Sequence, residues 1–485
     1  MQLKRFKKSL SPIYKPYNFQ ADAFNHIKDE DFFGIFHEQG LGKTKIAIDL
    51  ALYWLEKEVC QSVIFVTKKS LVENWKNEVK SHTSHFPVVF SSKKTQNFSK
   101  FNSPAYLFIC HYDLVKNDLE RFKNFCELRK VGMILDESVA IKNPDSLVSK
   151  AFHSLSGKLI KRIIMTGTPV DNRPQDVWSQ VYFLDSGKSL GKSFGLFKEK
   201  YDLTKERNEN AISKLKYQND LKELQQKLAA FSLRETKETA KLNLPNKVFE
   251  RVEVNMDQEQ RNIYEKVRKE LSIEIIKDGK LEIEEFNFIA VRLMRLIQIS
   301  SLPSIYDESY KNKAPKLKAL EQIIERIPQD EKVIIWSNYI KSSEILFNEL
   351  QSKGAVLLNG DIDIDQRNDA IERFKKDKKI KFMIATYGTA KEGLTLTVAN
   401  HSIFFERNFS LADYLQAQDR IHRISQNKIS YIYNIYTKDS AEDWLEALVL
   451  AKESAAAFVQ GDISEDEFTK KIRYDYSEIL ENILN

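Results

Sequence analysis

The sequence predicts an α/β protein of two open parallel-sheet lobes, with helical insertions between and on them. Three observations carry this expectation. Short β-branched and aromatic runs alternate with helix-like segments from Phe32 to Thr168, and the same rhythm restarts near Lys332. Between them, from Leu196 to Leu244, lies a stretch without Gly or Pro in which Lys, Glu and Asn surround Leu and Ile at helical spacing. A chain of 485 residues is too long for one ordinary core and suits two domains of about 150–200 residues plus insertions.

Taken in order, the N-terminal MQLKRFKKSLSPIYK is basic but has no apolar core of signal-peptide length. No run reaches the ~18 apolar residues of a membrane span, so a soluble, cytoplasmic protein is expected. FFGIF (32–36), SVIFVT (62–67), AYLFICHY (105–112), VGMILDE (131–137) and KRIIMTG (161–167) read as buried parallel strands of a first lobe over residues 1–190. Residues 191–245 read as a helical protrusion and linker, interrupted by Leu244 and Pro245. A second helical protrusion is expected over 246–312, through YEKVRKELSIEII and FIAVRLMRLIQI. KVIIWSN (332–338), AVLLNG (355–360), KFMIATYG (381–388), HSIFFER (401–407) and ISYIYNIYTK (429–438) then give a second lobe over 313–440. Residues 441–485 read as C-terminal helices.

Composition narrows the function classes. A hydrophobic content of 42% supports folded cores, and 75 Lys and Arg against 69 Asp and Glu leave a net charge of +6, which permits a polyanionic partner. Cys60, Cys110 and Cys126 have no C-x-x-C spacing, and the eight histidines form no ligand cluster with them. Neither a disulfide framework nor a zinc site is expected, and a reducing compartment fits.

Ligands are expected at the carboxyl ends of the strands. DFFGIFHEQGLGKTKIAIDLALYWLEK reads as a strand, a Gly-bearing turn and a helix that buries Ile46, Leu50 and Trp54. In the loop Gly40-Leu41-Gly42-Lys43-Thr44, the glycines let backbone N–H groups face phosphate oxygens. Lys43 reaches the outer phosphates, and the Thr44 hydroxyl can ligate magnesium. His37 occupies the first Gly position of the strict phosphate-loop pattern. Asp136 and Glu137 close VGMILDE, which suits Asp136 to the magnesium and Glu137 to positioning and activating the attacking water. Arg420 and Arg423, three apart in QAQDRIHRISQ, share one face if that segment is helical. From there they could reach the outer phosphate of a nucleotide held between the lobes. A surface salt bridge with Asp419 is the plain alternative for these two arginines.

These motifs, in this order, resemble superfamily-two helicase motors and, within them, the Swi/Snf family of double-stranded DNA translocases. The likeness extends to SLVENWKNEV (70–79), DESVAIKNPDS (136–146), TGTPVDN (166–172), LRETK (233–237), LMRLIQI (293–299) and QAQDRIHRISQ (416–426), and covers Tyr17 to Glu442. The resemblance implies two RecA-like lobes, ATP and magnesium as cofactors, and ATP hydrolysis coupled to movement on duplex DNA. By resemblance, Gln20 would read the adenine, Gly393 and Gln416 would be the second lobe's share of the ATP cleft, and Thr166 and Thr168 would link the nucleotide to DNA. DNA contacts would come from Lys68, Lys69, Ser70, Tyr112, Asn143, Ser337 and Thr386, whereas Trp75 is better explained as packing.

The chain departs from the family pattern at His37 for Asp, Ser138-Val139 for Ala-His, Thr395 for Asn and Ser425 for Gly. This points to a divergent, bare-motor branch such as those in bacterial, phage or mobile-element genomes. A protein partner is expected at the helical insertions. Two alternatives stand beside translocation: a strand-separating DNA or RNA helicase, and a nucleotide-responsive DNA-binding scaffold.

Overall fold

The computed structural model describes residues 10–170, 173–201, 211–240, 244–278, 294–390, 396–423 and 425–471; Gly393 and Thr395 lie outside the described residues. The chain divides into two compact units, Met1–Leu242 with Ser454–Phe468, and Asn243–Glu453 with Thr469–Asn485.

In the first unit, strands β1 (Phe32–Ile35), β2 (Ser62–Thr67), β3 (Val88–Val89), β4 (Leu107–His111), β5 (Val131–Asp136), β6 (Lys161–Met165) and β7 (Ser232–Leu233) form one sheet. Their order is β3-β4-β2-β5-β6-β1-β7, with every neighbouring pair parallel. All of SVIFVT is buried, as a sheet covered on both faces requires. The helix Lys43–Glu56 buries Ile46, Leu50 and Trp54 against Phe33, Ile35, Val63 and Phe65, matching the face read from its spacing. Cys60, Cys110 and Cys126 are free thiols buried in this unit.

The strand order positions the site. β6 lies between β5 and β1, with Met165 in register with Asp136 on one side and Ile35 on the other. The segments following these three strands therefore leave one edge of the sheet side by side.

The second unit holds β8 (Lys247–Val254), β9 (Lys332–Ser337), β10 (Ala355–Leu358), β11 (Phe382–Thr386), β12 (Ala399–Phe404) and β13 (Ser430–Thr437). Their order is β10-β11-β9-β12-β13-β8, again parallel throughout. All ten apolar runs read from the sequence are strands, and the fold is two parallel-sheet α/β lobes.

Two segments differ from expectation. β8 occupies the start of the stretch expected to be a helical protrusion, paired along its whole length with β13 from Lys247↔Ser430 to Val254↔Thr437. Its Lys247, Glu250, Arg251 and Glu253 suit an edge strand with one neighbour. β7 adds a short strand beside β1 from within the charged stretch. Helices also occur in these stretches, at Phe194–Tyr201, Ala211–Ala229 and Gln258–Asp278. Among the described residues no helix is long and apolar enough to cross a membrane.

Candidate functional site

In the first unit, β1 leads into the glycine loop and the helix that starts at Lys43. Gly40 (φ 86°) and Gly42 (φ 68°) both take the left-handed backbone region, where a side chain is strained. A Cβ at Gly42 would also meet Gln20 Nε2 at 2.4 Å. The Gln20 amide is engaged inside the protein, donating to Leu41 O (3.1 Å) and accepting from Tyr17 N (3.0 Å), so it ties the N-terminal helix Asn18–Ile27 to this loop. Tyr17 and Phe19 stack beside it with ring centroids 5.9 Å apart.

Lys43 folds back over its own loop, donating from Nζ to His37 O (2.8 Å) and Glu38 O (3.3 Å). Those carbonyls hold the ammonium against the loop. His37 is buried, and neither ring nitrogen has a hydrogen-bond partner among the described residues. Burial, with the charges of Lys43 and Arg234, pushes it down to about 3, so the imidazole is neutral.

Asp136 and Glu137 emerge from β5 beside this loop. Burial and the neighbouring Glu137 charge push the Asp136 carboxyl up to about 6, against hydrogen bonds from Trp75 and Thr67 and the charge of Lys43. Lys43 and Asp136 therefore feel one another within a single unit. Glu137 adopts φ 53° and ψ 54°, a left-handed conformation costing roughly 1–2 kcal/mol for a non-glycine residue. Its Oε1 accepts from Gln39 Nε2 at 2.9 Å, while Oε2 is buried with no hydrogen-bond partner among the described residues. A strained, half-satisfied carboxylate at a strand end is a group poised for a ligand or a water.

Three further residues shape the site beyond what the sequence reading assigned. Trp75 does pack, stacked on Phe65 at 4.8 Å, but its indole N–H also donates to Asp136 Oδ2 at 2.7 Å. Gln39 holds Glu137, and a Cβ on Gly167 in the turn after β6 would come within 2.9 Å of Gln39 Cγ. Ser138, standing where the resemblance implies Ala, donates to Gln180 Oε1 (2.7 Å), and Gln180 donates to Pro169 O (2.9 Å). The acidic strand end is thereby joined to the Thr166–Pro169 turn. Thr166 Oγ1 accepts from Thr168 N (3.2 Å), closing that turn on itself. The Trp75→Phe variant is expected to lose about 1.5–3 kcal/mol in urea unfolding, because it strips a hydrogen bond from a buried carboxylate. An unchanged midpoint would remove this role from Trp75.

In the second unit, the helix Leu411–Gln418, capped by Ser410, carries the buried Gln416 and ends before the arginines. Arg420 and Arg423 therefore lie in the turn after the helix, so the condition for their sharing a helical face is not met. Arg420 is 3% exposed and donates from Nε to Gln416 O (3.1 Å); Arg423 donates from Nε to Asp419 O (2.9 Å). The Asp419 carboxylate itself faces Lys247 at 3.6 Å. Gln426 staples the turn, donating from Nε2 to Ala399 O (2.9 Å) and Ile421 O (2.8 Å).

The expected DNA contacts divide into two groups. Lys69, Ser70 and Asn143 are exposed and Lys68 is half-buried; Lys68–Ser70 directly follow β2, and Asn143 follows the short helical turn Ser138–Ile141 after β5. Tyr112, Ser337 and Thr386 are buried, which corrects their reading as surface contacts. The Tyr112 hydroxyl donates to Asp136 O at 2.8 Å, and Ser337 donates to Glu406 Oε2 at 2.9 Å. Thr386 Oγ1 lies 3.0 Å from Thr389 Oγ1. Glu406 also accepts from Asn338 N (2.9 Å) and Ser342 Oγ (2.7 Å), and burial pushes its carboxyl up. These three residues brace strand ends from beneath.

Comparison with known proteins matches residues 33–305 to the SNF2-related domain and residues 315–425 to the helicase conserved C-terminal domain. An uncharacterized ATP-dependent helicase of Mycoplasma genitalium is 27% identical over 434 residues, covering 86% of this chain and 39% of that protein. The Bacillus subtilis protein YwqA, whose name describes an ATP-dependent helicase or translocase, is 28% identical over 474 residues, covering 93% and 48%. The chain thus spans two-fifths to one-half of the length of these relatives. A solved SWI2/SNF2 ATPase core from Sulfolobus solfataricus in complex with double-stranded DNA is 22% identical, covers 98% of this chain and 100% of its own, and has a TM-score of 0.43.

Proposed function

The chain belongs to the SNF2-related family, and from that premise we propose that it is an ATPase that couples hydrolysis to movement along double-stranded DNA and to remodelling of protein–DNA complexes. One observation carries the chemistry. β5, β6 and β1 are adjacent, so Asp136–Glu137, Thr166–Thr168 and the Gly40–Thr44 loop leave the same sheet edge together.

On this reading the loop N–H groups and Lys43 bind the phosphates of ATP, with Lys43 exchanging the carbonyls of His37 and Glu38 for phosphate oxygen. Glu137 orients the attacking water through Oε2 while Gln39 fixes Oε1. Arg420 and Arg423 supply charge to the outer phosphate from the second lobe, and Gln20, Gly393 and Gln416 line the nucleotide. The residues fit magnesium: Thr44 lies in the first turn of the helix after the loop, and Asp136 is a carboxylate within electrostatic reach of the neighbouring Lys43. No group of three or more His, Cys, Asp or Glu among the described residues is placed to hold a metal unaided. Phosphate and water oxygens would complete the shell, as is usual for this ion. Magnesium when bound neutralises charge on the outer phosphates.

The exposed Lys69, Ser70 and Asn143, with Lys68, are the proposed phosphate contacts on DNA. They follow the backbone without reading bases. Leu196 and Leu215, exposed on the two helices of the first insertion, mark the proposed protein-partner surface. Three free, buried thiols fit a reducing cytoplasm.

The test is phosphate release with single-stranded DNA, duplex DNA and RNA in parallel, beside triplex and forked-duplex displacement. Duplex-stimulated turnover with triplex displacement is expected; no stimulation at any salt would overturn the reading, and fork opening alone would favour a strand-separating helicase. If roughly six to ten phosphates are contacted, affinity should fall by about 10³- to 10⁵-fold between about 50 and 200 mM salt.

A further inference from the structure

We infer that Arg234 and Asp462 form a positioning pair for the phosphate-binding loop, which gives the turn residue Asp462 a part in the ATP site. The inference rests on the ATPase reading above. Arg234 uses its whole fork. Nε and Nη2 donate to Asp462 Oδ1 (2.9 Å) and Oδ2 (2.7 Å), and Nη1 donates to Phe36 O (2.5 Å) and Gly167 O (3.0 Å). One guanidinium therefore joins the residue entering the phosphate loop, the turn after β6, and a residue more than two hundred positions downstream.

Both carbonyls lead to the reacting groups. Phe36 precedes His37 and Glu38, whose own carbonyls are held by Lys43. Gly167 packs against Gln39, the residue that fixes Glu137. The segment around Arg234 lies along the loop as a splint: Phe36 N donates to Leu233 O and Glu38 N to Glu235 O, each at 2.8 Å. Lys237 closes it, with its N–H on Glu38 Oε2 (2.8 Å) and Nζ 3.1 Å from Glu38 Oε1.

Asp462 is itself fixed. The helix Ala441–Gln460 ends at Gly461, φ 81°, with Gly461 N donating to Phe458 O (3.0 Å) and Asp462 N to Ala457 O (2.8 Å). That is a Schellman closure, which sets the direction of the next residue. Ser464 and Glu467 then form a reciprocal cap at the start of the helix Glu465–Lys471. Phe458 stacks on Phe468 at 4.5 Å, both buried, and anchors the turn. The Arg234 and Asp462 side chains are 18% and 22% exposed, so the two-point contact is partly shielded at the protein surface. A planar fork bonded at both ends resists pivoting, and pivoting would move Phe36 O and Gly167 O relative to one another.

The test uses the full chain with magnesium-ATP, reading kcat, KM and the affinity of a fluorescent ATP analogue. Asp462→Asn keeps the shape and removes the charge. It should lower kcat by about 5- to 30-fold while changing KM by less than about threefold, since misplacement on the ångström scale can cost about 10²-fold. Asp462→Glu should recover most of that loss. Arg234→Lys should behave as Asp462→Asn does, and the double variant should be no worse than either single one. Glu465→Gln breaks the exposed Lys222–Glu465 pair (2.7 Å) in the same docked segment and should leave kcat unchanged within about twofold. Wild-type kcat in Asp462→Asn overturns the inference alone, as does a loss that only tracks thermal unfolding. Absence of turnover and nucleotide binding in the unaltered chain instead sinks the ATPase reading, and this inference with it.

Discussion

Glu137→Gln should reduce steady-state ATP turnover by roughly 10²- to 10⁴-fold, the contribution of a positioned proton acceptor, while leaving nucleotide binding and the fold intact. The substitution is nearly isosteric, and the new carbonyl oxygen can still accept from Gln39. What disappears is the charge on the oxygen that has no protein partner among the described residues. Lys43→Ala should be comparably damaging, by roughly 10²- to 10³-fold, because it removes a charged donor from the developing phosphate charge. The two variants should differ in binding. Lys43→Ala should weaken the fluorescent ATP analogue, whereas Glu137→Gln should not. Lys43 also caps two loop carbonyls, so a small drop in melting temperature should accompany its loss. Near-normal turnover in Glu137→Gln would remove the role assigned to that carboxylate.

The second large effect is expected at Arg423. A guanidinium placed on the transferring phosphate is worth roughly 10³- to 10⁵-fold in rate, so Arg423→Ala should lower kcat on that scale with little change in nucleotide affinity. Arg423→Lys should recover little, because an ammonium keeps the charge but not the planar fork. Arg420 is a less clean probe. It is buried and bonded to the end of the preceding helix, so its truncation should lower thermal stability as well as rate. If Arg423→Ala turns over ATP at the wild-type rate with and without duplex DNA, the surface salt-bridge alternative regains the ground.

The lobes were legible because their strands are continuous apolar runs, and such runs in alternation with helices can be covered only as parallel sheets. The glycine loop was legible because its residue types are required by a backbone conformation that few others tolerate. What escaped the sequence reading were contacts set by tertiary approach. Trp75 has the spacing of a packing residue, and nothing local reveals that its N–H meets a carboxylate sixty-one positions away. β8 mixes Val with Lys, Glu and Arg, so its alternation at a half-wet edge was overridden by the helical pattern that follows it. Tyr112, Ser337 and Thr386 do sit at strand ends, as their positions implied, but burial turns their hydroxyls inward. Arg234 stood in a stretch that resembled the family, with no physical task until the fold brought it to Phe36 and Gly167.

The three cysteines have a practical consequence for watching this protein at work. All are sunk in the first unit, and burial pushes Cys60 and Cys126 up to about 12 and Cys110 higher still, so the reactive thiolate is scarce near neutrality. Maleimide dyes will therefore favour newly introduced surface cysteines, for example at the exposed Lys94 and Lys378. Fluorophores at those two sites, one in each unit, can test whether adding ATP changes the distance between them, with the native thiols left in place.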